Sequence, residues 1–323
     1  MVNIDLKDRK ILYELDFDSR QSFRSIGKKV GLSKDIVASR VKKLEDYGII
    51  KKYYAVIDYS KLGYFCYRIY LVFQNTNPTK EKEIINYFVN DKNVFWVCKA
   101  QGKYDLEMAI WIKSLRDFDT FWEKTLQKYR DYFSDQIVSV YLSINYLKSS
   151  YLLDKEFISP DQLDKDIAGL SNREKVDEID YKILVMLANN SRIQSIEIAK
   201  KLSLNSITVS NRIKNLVKKG VIVGYRINID FLKLDYEFYK VDINLNDYKQ
   251  RKKIIDLFKR YSSLLYITKT AGYADLEMDF VVENVTELIE IIESVKNKLP
   301  GLIKNYNYFF QPKIHKVIYI PEK

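Results

Sequence analysis

Lys42 and Lys214 stand 172 residues apart, each on a short amphipathic segment whose polar side could meet a polyanion. In the first segment Asp35, Ser39, Lys42 and Asp46 fall opposite the apolar stripe Val37, Val41 and Leu44, with Lys34 and Lys43 beside them. In the second, Ile207, Asn211, Lys214 and Lys218 fall opposite Val209 and Leu216, with Ser206 and Ser210 beside them. An ammonium group neutralises a phosphate without reading sequence. An Asn can pair bidentately with adenine, and an exposed apolar side chain can meet a thymine methyl. Lys42 and Lys214 agree between the segments, whereas Ser39 differs from Asn211 and Asp35 from Ile207. The pattern predicts common phosphate contacts and unlike base contacts, hence an asymmetric site. Solvated helix faces that touch only phosphates are the alternative. Lys51, Lys52 and Arg226 follow the two segments as candidate backbone contacts. Arg40 and Arg212 lie nearer the apolar edge, and for them a phosphate contact and a structural ion pair both stand.

These residues need rigid helices to present them. Ser33 can accept a first-turn N–H, and Gly48 can close the helix in a left-handed conformation. Upstream, Phe23–Val30 makes a shorter helical pattern ending at Gly31. Short helix, glycine turn, capped helix is the order of a helix-turn-helix, whose second helix can enter a major groove. An ordinary αα-corner has the same order. A repeat decides between them. Residues 5–62 overlay 177–234 without a gap, matching Asp5, Ile11, Leu12, Ser19-Arg20, Val37, Arg40, Lys42 and Gly48. With a shift of 170, Gly102-Lys-Tyr-Asp105-Leu-Glu-Met meets Gly272-Tyr-Ala-Asp275-Leu-Glu-Met. The whole plan therefore occurs twice.

The chain of 323 residues carries a net charge of +11 with 47% hydrophobic residues, a globular composition with a polyanion bias. Residues 1–59 hold 13 Lys/Arg against 9 Asp/Glu, and residues 173–231 hold 11 against 6. Most of the excess charge thus sits on the two helix-turn-helix stretches. No apolar run reaches the ~18 residues of a membrane span, and the first residues lack the pattern of a signal peptide. Cys66 and Cys98 stand far apart, so a reducing, cytoplasmic setting is the expectation. No Ser/His/Asp set, metal-spaced cluster or Gly-rich phosphate loop is evident, and no cofactor, metal or catalytic residue is expected.

The predicted organisation is a winged helix-turn-helix at 1–60, a sheet domain at 61–153, a linker at 154–174, a second winged helix-turn-helix at 175–232 and a second sheet domain at 233–323. Each winged helix should end in a small hairpin. Each sheet domain reads βαββαβ, the order of a ferredoxin-like fold with both helices on one face. The class is α+β. The bare sheet face favours pairing of sheet domains, either within the chain or between chains. In the linker, Ser159-Pro160-Asp161 could start a short helix, and near the end Pro312 should break or bend the last strand. The turns Gly102–Asp105 and Gly272–Asp275 have a plain structural reading, a tight hairpin with a backbone-bonded Asp.

Asp5-Leu-Lys-Asp-Arg-Lys-Ile-Leu, Asp18-Ser-Arg, Leu32-Ser33, Arg40-Val41, Gly48-Ile-Ile and Gly102-Lys-Tyr-Asp together resemble the Lrp/AsnC (feast/famine) transcription regulators. The resemblance covers nearly the whole chain, linker excepted. It implies binding of double-stranded DNA by the winged helices, self-association through the sheets, and a small effector, often an amino acid. That effector would sit at Gly102, Tyr104, Asp105, Gly272, Tyr273 and Asp275. Fusion of two complete copies departs from the family's usual pattern and its palindromic site. Siroheme decarboxylases are similar in modules and also occur as fused pairs. Their chemistry relies on histidine and arginine in the sheet module, whereas this chain has one histidine, His315. An effector-free architectural protein that coats DNA is a third possibility.

Overall fold

Side-chain caps set where the head helices begin. Asp5 accepts the Asp8 amide ahead of α1 (Leu6–Phe17), Ser22 the Ser25 amide ahead of α2 (Phe23–Val30), and Ser33 the Ile36 amide ahead of α3 (Lys34–Asp46). Each cap satisfies a first-turn N–H that the helix leaves open. The second head repeats the three helices as α6 (Glu178–Asn189), α7 (Ser195–Leu202) and α8 (Ser206–Lys218), with side-chain caps on α6 and α8 only. The structure, a computed structural model, describes residues 4–153, 165–168 and 171–321.

The wing differs from the expected hairpin. β1 (Ile50–Ile57) pairs antiparallel with β7 (Ile222–Ile229) of the other copy, placing Tyr54 opposite Arg226 and Ala55 opposite Tyr225. No second strand is left within a copy, because β1 runs through the 3-10 turn Tyr59–Leu62 straight into β2 (Phe65–Phe73). The ribbon crosses the heads over. Leu12, Leu15, Val37 and Val41 of the first head pack with Ile227 and Ile229, while Leu184, Leu187 and Val209 of the second pack with Tyr54–Ile57.

Each copy then builds a ferredoxin-like half. The first comprises β2, α4 (Pro78–Asn90), β3 (Val94–Gly102), β4 (Leu106–Ile112), α5 (Leu115–Tyr129) and β5 (Phe133–Tyr146). After β6 (Lys165–Ala168), the second comprises β8 (Glu237–Leu245), α9 (Arg251–Phe258), β9 (Leu264–Ala271), β10 (Leu276–Val282), α10 (Val285–Lys298) and β11 (Ile303–Val317). The halves join edge to edge, β3 with β11 and β5 with β9. The strand order is β2-β4-β3-β11-β8-β10-β9-β5-β6, and β5 also pairs with β2, so the strands between them close into a barrel. Pro312 bends β11 rather than breaking it. It sits in the register shift between Phe310 and Lys313, where the strand leaves β8 and continues along β3 alone. β6 lies in the stretch expected as linker and pairs with Ser143–Tyr146, while the helix start expected at Ser159-Pro160-Asp161 lies outside the described residues.

Strand alternation sorts the side chains. Ile69, Leu71, Met108 and Ile110 face α4 and α5, and Val241, Ile243, Met278 and Phe280 face α9 and α10. The intervening residues turn into the barrel, where Arg68, Glu107, Lys240, Glu277 and Asp279 form one buried ion-pair network. No described helix is long and apolar enough to cross a membrane, and no described group of His, Cys, Asp and Glu could hold a metal ion.

Candidate nucleic-acid interface

The second helix of each helix-turn-helix, α3 and α8, keeps most of its polar side in solvent. On α3 the residues Lys34, Asp35, Ser39, Lys42 and Lys43 are exposed. On α8, Ile207, Asn211, Lys214 and Lys218 are exposed, and Ser206 and Ser210 are half-buried. Ile207 keeps 68% of its surface, unusual for a side chain its own helix could have turned inward. Ile36, at 47%, joins it on the first head; the apolar-stripe pattern hid it, because its neighbour Val37 fills the core position.

The helices differ in charge. α3 carries Asp35, Glu45 and Asp46, and Lys42 reaches Asp46 at 3.3 Å. α8 contains no acidic residue. The second of the two helices is therefore the more positive.

Arg40 and Arg212 resolve in the same way in both heads. Arg40 donates to Asp5 at 2.8 Å and Asp8 at 2.9 Å, and Arg212 to Asp177 at 2.7 Å and Asp180 at 2.8 Å. Those carboxylates hold each guanidinium pKa above its ordinary value. Each pair ties the reading helix to the N-terminus of the first head helix, so the structural ion pair is what the geometry shows.

The residues following the reading helices fare differently. Lys51 pairs with Asp230 at 2.8 Å, and Lys52 donates to Asn189 at 2.9 Å, so both tie one copy to the other. Burial lowers the Lys52 pKa. Arg226 corrects the sequence reading: it is buried, 4% exposed, and makes a bidentate ion pair with Asp16 of α1. The cross-copy register turns it toward the first head and into the protein interior. Arg226→Ala is expected to destabilise the fold by about 3–5 kcal/mol, since Asp16 is left buried and unpaired. The same variant should leave the salt dependence of DNA binding unchanged; thermal melting and a salt titration check the two halves of this expectation.

Sequence matching found Ser19-Arg20 and Ser191-Arg192 but gave them no role. They brace the heads reciprocally. Ser19 and Ser191 hydroxyls meet at 2.6 Å, Arg20 donates to the Ser191 carbonyl at 2.5 Å, and Arg192 donates to the Ser19 carbonyl at 2.6 Å. The Ser19 and Ser191 amides donate to Tyr225 and Tyr53 of the ribbon, each at 3.1 Å. The only signal available was that the dipeptide recurs at the repeat shift.

The Gly-x-x-Asp turns meet across the halves. The Asp105 carboxylate accepts the Phe73 amide at 2.7 Å, and Asp275 accepts the Leu245 amide at 2.8 Å. Gly102, at φ +132°, would place a Cβ 3.2 Å from Phe309 of the other copy. Gly272, at φ +108°, would place one 3.1 Å from the Val138 carbonyl. Tyr104 is buried and donates to the Tyr273 hydroxyl at 2.7 Å. The turns thus hold the barrel seam.

Two helix-turn-helix heads with capped second helices, locked side by side by a ribbon and a reciprocal Ser-Arg brace, define a helix-turn-helix DNA-binding protein. Residues 4–45 match the AsnC-type helix-turn-helix domain, and residues 176–223 match the winged helix-turn-helix DNA-binding domain. An uncharacterized HTH-type transcriptional regulator of Pyrococcus furiosus is 35% identical over 125 residues, 39% of this chain and 83% of that protein. A second from the same organism is 31% identical over 146 residues, 45% of this chain and 92% of that protein. The crystal structure of the siroheme decarboxylase NirDL superposes with a TM-score of 0.65 at 13% identity, covering 98% of this chain and 94% of that one, a likeness of fold. The chain belongs to the AsnC-type (Lrp/AsnC) family of helix-turn-helix transcriptional regulators, with two copies of the family plan in one polypeptide.

Proposed function

We propose that this regulator binds double-stranded DNA through α3 and α8 at one site composed of two unlike half-sites. The observation that carries this reading is the mismatch of two exposed edges held in one rigid head pair. Ser39 and Asp35 stand on one helix where Asn211 and Ile207 stand on the other. Asn211 is the candidate for a bidentate adenine contact and Ile207 for a thymine methyl. Lys42, Lys214 and Lys218 contact phosphates, with Lys34, Lys43, Ser206 and Ser210 flanking. Selection of bound sequences from a random DNA pool tests the reading: a non-palindromic consensus is expected, and a perfect palindrome would overturn it.

Lys214→Ala and Lys218→Ala should each reduce the magnitude of the slope of log K against log salt by about one. Lys42→Ala should reduce it less, because Asp46 already holds that ammonium in part. Filter binding or fluorescence anisotropy over a salt series reads the difference. An architectural protein would instead coat fragments with many chains regardless of sequence. The decarboxylase reading asks for histidine and arginine on the sheet. His315 sits on β11 with its Nε2 unpartnered among the described residues, and Arg68 is already held by Glu107 at 2.7 Å. With the Asp105 and Asp275 carboxylates both bonded to backbone amides, a small effector is better placed elsewhere in the molecule.

A further inference from the structure

Between the β1/β7 ribbon and the barrel strands lies a chamber of about 300 Å³, at the lower end of the volumes that small-molecule sites occupy. Both copies build its walls. Tyr54 comes from the ribbon, Trp96, Trp111 and Tyr146 from the first half, and Tyr266 from the second, with Tyr319 beyond β11. Its rings already stack in pairs: Tyr54 on Tyr319 and Trp111 on Phe95, each with centroids 3.8 Å apart.

Among the unpartnered polar atoms of the walls, donors outnumber acceptors: two indole N–H groups stand against the Gln311 Oε1, and the Tyr59 hydroxyl can serve as either. The indole N–H groups of Trp96 and Trp111 are buried without an acceptor among the described residues. Buried donors are ordinarily paired, and a ligand that brings acceptors would pair these. The charges at the walls are matched within the protein: Arg68 with Glu107 at 2.7 Å, Lys51 with Asp230 at 2.8 Å, and Asp279 with Lys240 at 3.3 Å. A charged ligand would have to break one of these pairs.

We propose that the chamber is an effector site for a planar, uncharged aromatic molecule carrying carbonyl or ring-nitrogen acceptors. Its occupancy stiffens the ribbon that joins the two reading heads. The ribbon is at once a chamber wall and the acceptor of the Ser19 and Ser191 amides, so a ligand packed beneath it acts on the head brace. The regulatory part rests on the DNA-binding reading; ligand binding does not.

Coumarin is the probe, because it is flat, uncharged and carries a lactone carbonyl; naphthalene, of similar shape without an acceptor, is the comparator. Calorimetric titration of the full chain without DNA should show one saturable coumarin site, with naphthalene at least about tenfold weaker, the worth of one hydrogen bond. Trp111→Phe keeps a ring but loses the N–H; it should weaken coumarin about tenfold and leave naphthalene unchanged. Ile144→Trp fills the space and should abolish both; if its melting temperature falls, Thr268→Met fills the same chamber with a smaller change. No saturable coumarin binding, or binding that survives both filling variants, would overturn the site, and equal affinity for the two probes would overturn the acceptor chemistry. Amide exchange at Ser19 and Ser191, again without DNA, should slow on adding coumarin; unchanged exchange would overturn the coupling. A subsequent failure to bind any DNA would count against the regulator and not against the chamber.

Discussion

Cutting the chain within residues 154–174 should leave neither half able to persist as a folded monomer. The reason is the crossing of the ribbon. The first head closes its core with Ile227 and Ile229 of the second copy, and the second head with Tyr54–Ile57 of the first. Two further seams, β3 with β11 and β5 with β9, would become exposed strand edges, which templates self-association. Residues 1–153 expressed alone should sediment as dimers or larger species, with the partner copy replacing the missing strand. Mixing the two halves should restore a one-to-one complex with the near-ultraviolet spectrum of the intact chain. A monomeric 1–153 fragment with cooperative thermal unfolding would refute the crossed arrangement.

Lys240→Met should be as severe within the intact chain. Lys240 is wholly buried, 3.2 Å from Glu277, 3.3 Å from Asp279 and 4.0 Å from Glu107. Removing one partner of a buried pair costs about 3–5 kcal/mol, since the remaining charges stay buried. Burial already raises the pKa of Glu107 and Asp279, and drives that of Asp242, on the neighbouring strand position, well upward with the help of Glu277. Without the ammonium these carboxyls move further up. The folded state then binds more protons than the unfolded chain from the ordinary carboxyl range up to the raised values. Stability must fall as pH rises through that window and recover as pH is lowered. Denaturant melts of Lys240→Met at pH 5 and pH 8 should therefore show the larger deficit at pH 8. An equal deficit at both would mean that the carboxyls do not take up the protons.

The head helices were legible because their signals are local. Ser33 caps, Gly31 and Gly48 terminate, and Val37 and Val41 repeat at helical spacing. The βαββαβ order and the duplication were legible for the same reason, since alternation and repeat need no knowledge of contacts. The polar edges of α3 and α8 also came from spacing alone, and their side chains are exposed or half-buried. Arg226 was misread because a basic residue after a reading helix looks the same whether its strand turns back or crosses over. Lys240, Glu107, Glu277 and Asp279 gave no sign of forming one network, because alternation marks them only as facing away from the helices.

The amino-acid sequence by itself determined two capped helix-turn-helix heads, two ferredoxin-like halves, the unlike polar edges of the two heads and their basic charge. Each of these rests on interactions between residues a few positions apart. Only the tertiary structure decided that β1 pairs with β7, that the two sheets close one barrel, and that Ser19-Arg20 clasps Ser191-Arg192. An unpaired strand edge is satisfied equally well by any complementary edge. Which one it takes depends on where the whole chain places the candidates.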